Sequence, residues 1–333
     1  MVTLHKFYDL IQRCNICDKN LLLGNGFSIA FSELFRYDSI LKESSFNNSS
    51  MFYNTSDYEK VIEDLNFKRD IYQQAYAEYG IASMFENWSD KLKWDLVNTI
   101  IQIQLRVKPN YRDMHNTFLF LSNFSNIFTL NYDLLLYWVV NYGVGLYRQN
   151  KHEYYSIVSN NKFYLRDGFY HYTWNQDKYE QNVFYLHGGL HLFFDKNDTY
   201  KLANNKEQKH SIIKQTQNRH VRRKESPLVI IEGNSNDKLR RINDNAYLKY
   251  CYQKLNQIKG VVFIYGHSLD YNDEHIFKTI NANPNINAVY ISIFAPVTNE
   301  ETIRQKAYYL FAERIKDKSL IVDFYNAQSV ALW

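Results

Sequence analysis

The sequence predicts an α/β fold: a Rossmann-like parallel sheet with helices on both faces. Three observations predict it. The short apolar run Asn20-Leu21-Leu22-Leu23 feeds directly into Gly24-Asn25-Gly26-Phe27-Ser28-Ile29-Ala30, so a strand, a glycine turn and a helix follow one another. From residue 261 onward, apolar runs of strand length alternate with helical periodicity, the pattern of a parallel sheet with crossover helices. Glycine (11) and proline (4) are scarce in 333 residues, against ~12% in ordinary usage, so each glycine carries positional information.

Taken in order, residues 3–18 predict a helix with Leu4, Tyr8, Ile11 and Ile16 on one side. Residues 41–56 are rich in Ser and Asn and predict a loop. Residues 57–120 are helical in pattern: Tyr58, Ile62 and Leu65, then Trp94, Val97, Ile101 and Leu105, with Pro109 as a break before 111–121. A second buried strand is expected at 125–130, followed by a helix through Leu136 and Val140. Residues 147–180 are dense in Tyr, with short alternating segments such as Phe163-Tyr164-Leu165, and predict a small β-rich insertion. A strand at 183–186 ends at His187-Gly188-Gly189, and the polar, basic stretch 197–226 predicts a mobile loop or hairpin. A strand at 227–231 and a helix from Ser235 to about Ile258 follow. Strands at 261–265, 288–294 and 320–324 then alternate with helices at 273–280 and 300–315. The organisation expected is one Rossmann domain over 1–333, with insertions at about 41–122 (helical) and 147–226 (β-rich, then a basic loop).

Composition excludes several classes. A formal charge of +4 is too mild to identify a nucleic-acid binder. Cys14, Cys17 and Cys251 make neither a disulfide framework nor a four-thiolate zinc site, and they fit a reduced cytosol. No apolar run reaches the ~18–20 residues of a membrane helix, since Asn131 and Asp133 interrupt the most apolar stretch, 127–140. The N-terminus opens an amphipathic pattern rather than a signal peptide. A cytoplasmic protein without metal and without membrane contact is expected.

Ligands of open α/β sheets sit outside the carboxyl ends of the strands. Four predicted strand ends carry small or polar residues: Gly24-Asn25-Gly26-Phe27-Ser28, Thr129-Leu130-Asn131-Tyr132-Asp133, His187-Gly188 and Gly266-His267-Ser268. Each has a plain reading beside the functional one. The first loop is a phosphate-binding turn or simply a tight turn, since Ile29 stands where a dinucleotide fingerprint has its third glycine. Asn131 and Asp133 are site residues or helix N-caps, and Ser268 likewise. His187 is catalytic or a packed core histidine.

In combination, these residue types in this order resemble the sirtuin superfamily. Sirtuins carry a Gly-Ala-Gly-x-Ser loop, a Thr-Gln-Asn-x-Asp motif, a His-Gly with the catalytic histidine, and a later Gly-x-Ser. The Thr-x-Asn-Tyr-Asp form and the Gly-His-Ser-Leu segment look most like bacterial sirtuin-like proteins of anti-phage defence, including a subfamily long filed as a domain of unknown function. The resemblance implies NAD as substrate and an NAD+ hydrolase that releases nicotinamide and ADP-ribose, the NAD-depleting effector of an abortive-infection system. It implies catalytic roles for Asn131, which places water or ribose hydroxyls, for His187 as general base, and for Asp133, which orients Asn131 or contacts ribose. It places Gly24, Asn25, Gly26, Phe27, Ser28, Thr129, Gly266, His267 and Ser268 at the dinucleotide, and Tyr325, in Tyr325-Asn326-Ala327, at the adenine border.

The departures from the family pattern are as informative. Sirtuin deacylases have a zinc module on four cysteines, which this chain lacks, so zinc-dependent deacylation is not expected. Leu130 stands for the family Gln and Asn25 for the Ala, and Phe35-Arg36 resembles the family Phe-Arg at a different spacing. No sensor domain is evident, so control is expected from a homo-oligomer or from a separate regulatory or sensor protein of the same operon. Two other classes stay open: a non-catalytic NAD or nucleotide sensor, and a nucleic-acid-binding assembly module. The second rests on Lys206, Lys209, Lys214, Arg219, Arg222, Arg223 and Lys224, set against Glu207, a run that also reads as a solvated loop. For the metal, the expected outcome is substoichiometric zinc in purified protein and a melting temperature unchanged by chelator; a stoichiometric, tightly held zinc is the contrary result.

Overall fold

The computed structural model describes residues 4–14, 17–149, 151–152, 154, 165–170, 172–195, 198–203, 211–294 and 300–333. At its centre lies β1 (Lys19–Leu23), whose Leu21, Leu22 and Leu23 are wholly buried. A strand covered on both faces reads as a continuous apolar run rather than an alternation, and this one does. It pairs in parallel with β2 (Asn126–Thr129) on one side and β8 (Gly260–Tyr265) on the other. β5 (Val183–Tyr185) continues beyond β2, and β9 (Ile286–Ile293) and β10 (Ile321–Asn326) continue beyond β8. The order β10-β9-β8-β1-β2-β5 is an entirely parallel six-stranded sheet flanked by helices, the Rossmann-like α/β fold that the alternation predicts.

The one polar residue in the core of β1 is satisfied on both sides. Asn20 Nδ2 donates to Lys259 O (2.8 Å) and Val261 O (3.1 Å), and Asn126 Nδ2 donates to Asn20 Oδ1 (2.8 Å). The amide therefore ties the entry ends of β8, β1 and β2 together without leaving a buried group unpaired. At the exit ends Leu23 is level with both Thr129 and Tyr265, so the loops after these strands emerge side by side.

Between β1 and β2 run α2 (Gly26–Phe31), α3 (Tyr37–Glu43), α4 (Tyr58–Gln74), α5 (Tyr79–Arg106) and α6 (Tyr111–Leu121), with α4 and α5 packed along each other. Asp57 caps α4 by accepting from Glu59 N, and Asn110 and Asp113 cap α6 reciprocally after the Pro109 break. The expected 41–56 loop holds the end of α3 and a 3₁₀ turn at Ser50–Phe52, which buries Phe52. The helix expected over 3–18 is α1 (Phe7–Arg13). After β2 comes α7 (Leu135–Gln149). A second sheet, antiparallel in the order β3-β4-β7-β6, is built from β3 (Phe169–Tyr170), β4 (Thr173–Trp174), β6 (Leu192–Asp195) and β7 (Asp198–Lys201). It flanks β5 in sequence on both sides, so the β-rich segment is not one uninterrupted insertion. Phe163 and Tyr164 of the expected alternating segment, and Lys206, Glu207 and Lys209, lie outside the described residues.

Four sequence expectations are corrected. The basic stretch opens as the β6–β7 hairpin but is then helical where it is described: α8 (Ile212–Gln217) and a π-helical turn at Asn218–Arg223 bury Ile212, Ile213, Thr216 and His220. Residues 227–231 form no strand. Their backbone serves the turn after β5, with Leu228 O accepting from Gly189 N, Leu228 N donating to Leu192 O and Ile230 N to His187 O. The helix expected from Ser235 to Ile258 is two, α9 (Ser235–Asn243) and α10 (Ala246–Gln257), because Asn245 turns its side chain onto Leu248 N and caps a new start. The C-terminal half closes with α11 (Glu274–Ala282), α12 (Glu300–Leu310) and α13 (Ala312–Lys316), the last pair dividing the helix expected at 300–315. Among the described residues no helix is long and apolar enough to cross a membrane.

Aromatic side chains join α1 to the sheet. Phe7, fully buried, has ring centroids within 5.1 Å of Phe120 and 5.7 Å of both Phe263 and Tyr325. Truncating a buried Phe costs about 3–5 kcal/mol. Phe7→Ala should lower unfolding stability by that order in a denaturant titration; a loss under 1 kcal/mol would mean that α1 is not part of the core.

Candidate functional site

The chain leaves β1 toward β2 on one side and later returns to β8 on the other, which makes the β1/β8 boundary the switch point where open α/β sheets bind ligands. A cavity of about 910 Å³ opens there, in the upper part of the ~300–1,000 Å³ range of small-molecule sites. Of the residues singled out in the sequence, Gly24, Asn25, Gly26, Asn131, Asp133, His187, Gly266, His267 and Ser268 line it. The topology thus brings the four predicted strand ends to one place.

Four others do not line it. Phe27 is fully buried against Trp333, and Ser28 and Thr129 lie beneath the cavity. Tyr325, expected at an adenine border, is a core residue whose hydroxyl donates to Ile264 O (3.2 Å); Ala327 and Gln328 are the lining residues of that segment. The reason is parity along the strand: Tyr325 lies inside β10 and faces α1.

The glycines serve a close approach of two loops. A Cβ on Gly26 would stand 2.5 Å from Gly266 Cα, and one on Gly24 would stand 2.7 Å from Gly266 O. Gly266 itself has φ +70°, where side chains other than glycine are strained. The N–H groups of Gly24, Gly26, Phe27 and Ser28 are donated to Tyr265 O, Gly266 O, Gly24 O and Asn25 O. The leading amides of the six-residue α2 are therefore spent on the loop itself.

Beneath that loop a short relay fixes Asn131. Its Nδ2 donates to Gly24 O (3.0 Å) and to Ser28 Oγ (3.0 Å). Gly24 O can only accept, which settles the amide orientation and leaves the side-chain carbonyl of Asn131 for the cavity. Ser28 Oγ donates in turn to Asp133 Oδ2, and Asp133 Oδ1 accepts from Leu135 N (2.8 Å) at the start of α7. Asp133 is thus both a cap and the anchor of Asn131. Thr129 Oγ1 accepts from Asn131 N (3.1 Å) and shapes the same turn.

Opposite lies a buried charge cluster that sequence reasoning missed. Lys238 of α9, with no exposed side-chain surface, places Nζ 2.7 Å from Glu59 Oε2 and 2.7 Å from Asp273 Oδ1. Asn272 Nδ2 also donates to Glu59 Oε2 (2.6 Å). His267 Nδ1 accepts from Leu269 N (2.8 Å), so its proton is on Nε2, which donates to Asp273 Oδ2 (3.0 Å). His187 Nε2 stands 3.8 Å from Asp273 Oδ1 and has no hydrogen-bond partner. Burial raises both carboxyls, but Lys238 and the His267 hydrogen bond outweigh it at Asp273 and hold that group well below the usual range. Glu59 is pushed up to about 7 by burial and by Asp273 and Asp57, against the pull of Lys238. The pair therefore divides its roles: Asp273 stays ionised and Glu59 is the carboxyl that titrates.

The lining is acidic. Glu33, Asp38, Asp57, Glu59, Asp133, Asp270 and Asp273 contribute carboxyls, while Arg36, more than half exposed and paired with Glu33 and Asp38, contributes a guanidinium. Ser268 Oγ donates to Asp270 Oδ2 (2.7 Å), and Lys306 reaches the same carboxylate. Cys14 is buried and donates to Tyr290 OH (3.9 Å), far from the cavity lining; among the described residues no group of His, Cys, Asp and Glu is disposed to hold a metal ion. Of the basic run, Arg219 pairs with Glu225 (2.6 Å) and Lys224 lies over Trp94 (4.9 Å).

A family model described as a domain of unknown function, DUF4917, matches residues 21–333. No curated protein matches the chain.

Burial pushes His187 well below the usual histidine value and His275 down to about 4, so both enter the folded state neutral. Their stabilising contribution is fully present above the unfolded value of 6.5 and is lost as pH falls from there toward the folded values. Glu59 acts in the opposite sense, since its folded value of about 7 lies above the unfolded 4.5. Burial lowers His191 and His220 as well, and these four histidines, against Glu59, Asp57 and Asp133, whose values burial raises, leave a net loss on acidification. The melting temperature should fall between pH 6.5 and 4.5, and His275→Gln should reduce that fall; an equal fall in the variant would refute the neutral assignment.

Proposed function

The chain belongs to the DUF4917 family, and for this member of a family without an assigned activity we propose NAD+ glycohydrolase activity: cleavage of the nicotinamide–ribose bond with water as acceptor, giving nicotinamide and ADP-ribose. The observation that carries the reading is the held amide of Asn131. Both its donor hydrogens are used inside the protein, and its carbonyl is presented to a strand-end cavity that also holds His187 with a free Nε2. A fixed acceptor at that place can position a water against an anomeric carbon. His187, neutral, accepts from a ribose hydroxyl.

The charge distribution supports the same chemistry. Cleavage passes through an oxocarbenium-like state, and carboxylates preorganised around the anomeric carbon stabilise positive charge as it develops. Arg36 is the lining group suited to a pyrophosphate. Zinc-dependent deacylation forms no part of the reading. Use of the activity to deplete NAD during phage infection rests on the resemblance of the strand-end motifs; phage challenge of cells carrying the gene with its neighbours tests it.

A second reading, a nucleotide-binding sensor without turnover, is favoured by the same internal engagement of Asn131, which suits a rigid binding group equally well. NAD binding without nicotinamide release selects it. For the catalytic reading, Asn131→Ala and His187→Ala should each reduce nicotinamide release by about 10²–10⁴-fold while the fold is kept. Ser28→Ala, which removes the support of Asn131 together with the hydrogen bond to Asp133, should lower kcat with little effect on KM. Release at the parent rate by either Asn131→Ala or His187→Ala removes that residue from the mechanism.

A further inference from the structure

We infer that Glu59, contributed by the helical segment between β1 and β2, is the group that takes the proton from the attacking water; this rests on the NAD-cleavage reading above. Glu59 is the second residue of α4 and lines the cavity although only 8% of it is exposed. Its Oε2 receives both Lys238 Nζ (2.7 Å) and Asn272 Nδ2 (2.6 Å). Two donors on one oxygen fix the carboxyl plane and leave Oε1 for the cavity's contents.

The alternative acceptor is His187, and its environment argues against it. Burial holds it neutral and a weak base, and its one nearby anion, Asp273, is already shared by Lys238 and His267. Proton transfer is most effective from a group that titrates near the working pH. Glu59 meets that condition because burial, Asp57 and Asp273 raise it to about 7, against Lys238. Tyr37 and Tyr132 also stand near it across the cavity and remain neutral phenols. A site that separates two carboxyls into one fixed anion and one titrating group assigns the roles by environment.

The step balances without a further reactant. The water oxygen bonds to the anomeric carbon as the carbon–nitrogen bond breaks. The electron pair of that bond goes to the pyridinium nitrogen, which leaves as neutral nicotinamide. The water proton passes to Glu59 Oε1 and is released to solvent.

The test is the pH profile of nicotinamide release by the parent protein, Glu59→Gln and Asn272→Ala, with NAD binding measured by calorimetry and folding by thermal melt. The parent rate should rise with pH through an acid limb. Glu59→Gln should bind NAD, lose the limb and cleave at least ~10²-fold more slowly. Asn272→Ala removes a hydrogen bond to the ionised carboxylate, so its limb should move to higher pH, which a merely structural Glu59 would not cause. Where Glu59→Gln fails to fold, the Asn272→Ala limb decides alone. A parent protein that cleaves NAD while Glu59→Gln keeps its rate, or while the Asn272→Ala limb stays in place, overturns the role of Glu59 and leaves the activity standing. A parent protein inert toward NAD overturns both.

Discussion

A single buried ammonium ties together three segments that meet beside the strand-end cavity. Lys238 has no exposed side-chain surface, so its charge is tolerable only because Glu59 and Asp273 each lie 2.7 Å away. The three residues come from α4, α9 and the turn before α11, segments that share no local sequence relation. The histidine side of the cavity leans on that contact. Asp273, held as an anion, accepts from His267 and faces His187. His267 in turn accepts from Leu269 N, which steadies a non-glycine residue at φ +54° three residues after Gly266. Removing one partner of such a set leaves an uncompensated charge and costs about 3–5 kcal/mol, more than any surface pair contributes.

How far the sequence foretold this depends on whether the signal was local. β1, β8 and β9 are covered on both faces and therefore stand out as apolar runs. The same rule misleads at 227–231, where Ile230 and Ile231 are equally buried but their backbone bonds to a turn rather than a strand. Apolar content reports burial, not pairing. The division of the helix at Asn245 was readable in principle, since Asn three residues before Leu248 is an N-cap spacing. In the basic stretch, Ile212, Ile213, Thr216 and His220 recur at helical spacing, but Lys214 and Arg219 between them and Arg222, Arg223 and Lys224 after them give the segment the composition of a loop.

The candidate site divides along the same line. Residues that follow strands were found because topology collects carboxyl ends at one edge, whatever the details of packing. Glu59 and Lys238 were not found, because ion pairing across 179 residues leaves no pattern in either segment. Lys238 sits in Asp237-Lys238-Leu239-Arg240-Arg241, which looks like a solvated helix face. Its one distinguishing mark is Ile242, four residues on and fully buried, which puts Lys238 on the inward side while Arg240 stays in water.

The glycines show why residue type alone underdetermines role. In the sequence Gly24 and Gly26 suggest room for a phosphate, and a close approach does occur there, but the visitor is the backbone of Gly266. With the first amides of α2 already donated within the loops, little positive potential remains at that spot for an anion. The lining carboxylates push the same way. A cavity so constituted is better matched to a cationic group than to a pyrophosphate, so in the proposed reading only Arg36, at the half-exposed rim, would meet the phosphates. The proposed chemistry therefore rests on the acidic interior, where positive charge would develop, and on Arg36 exchanging its Glu33 and Asp38 partners for phosphate at the mouth.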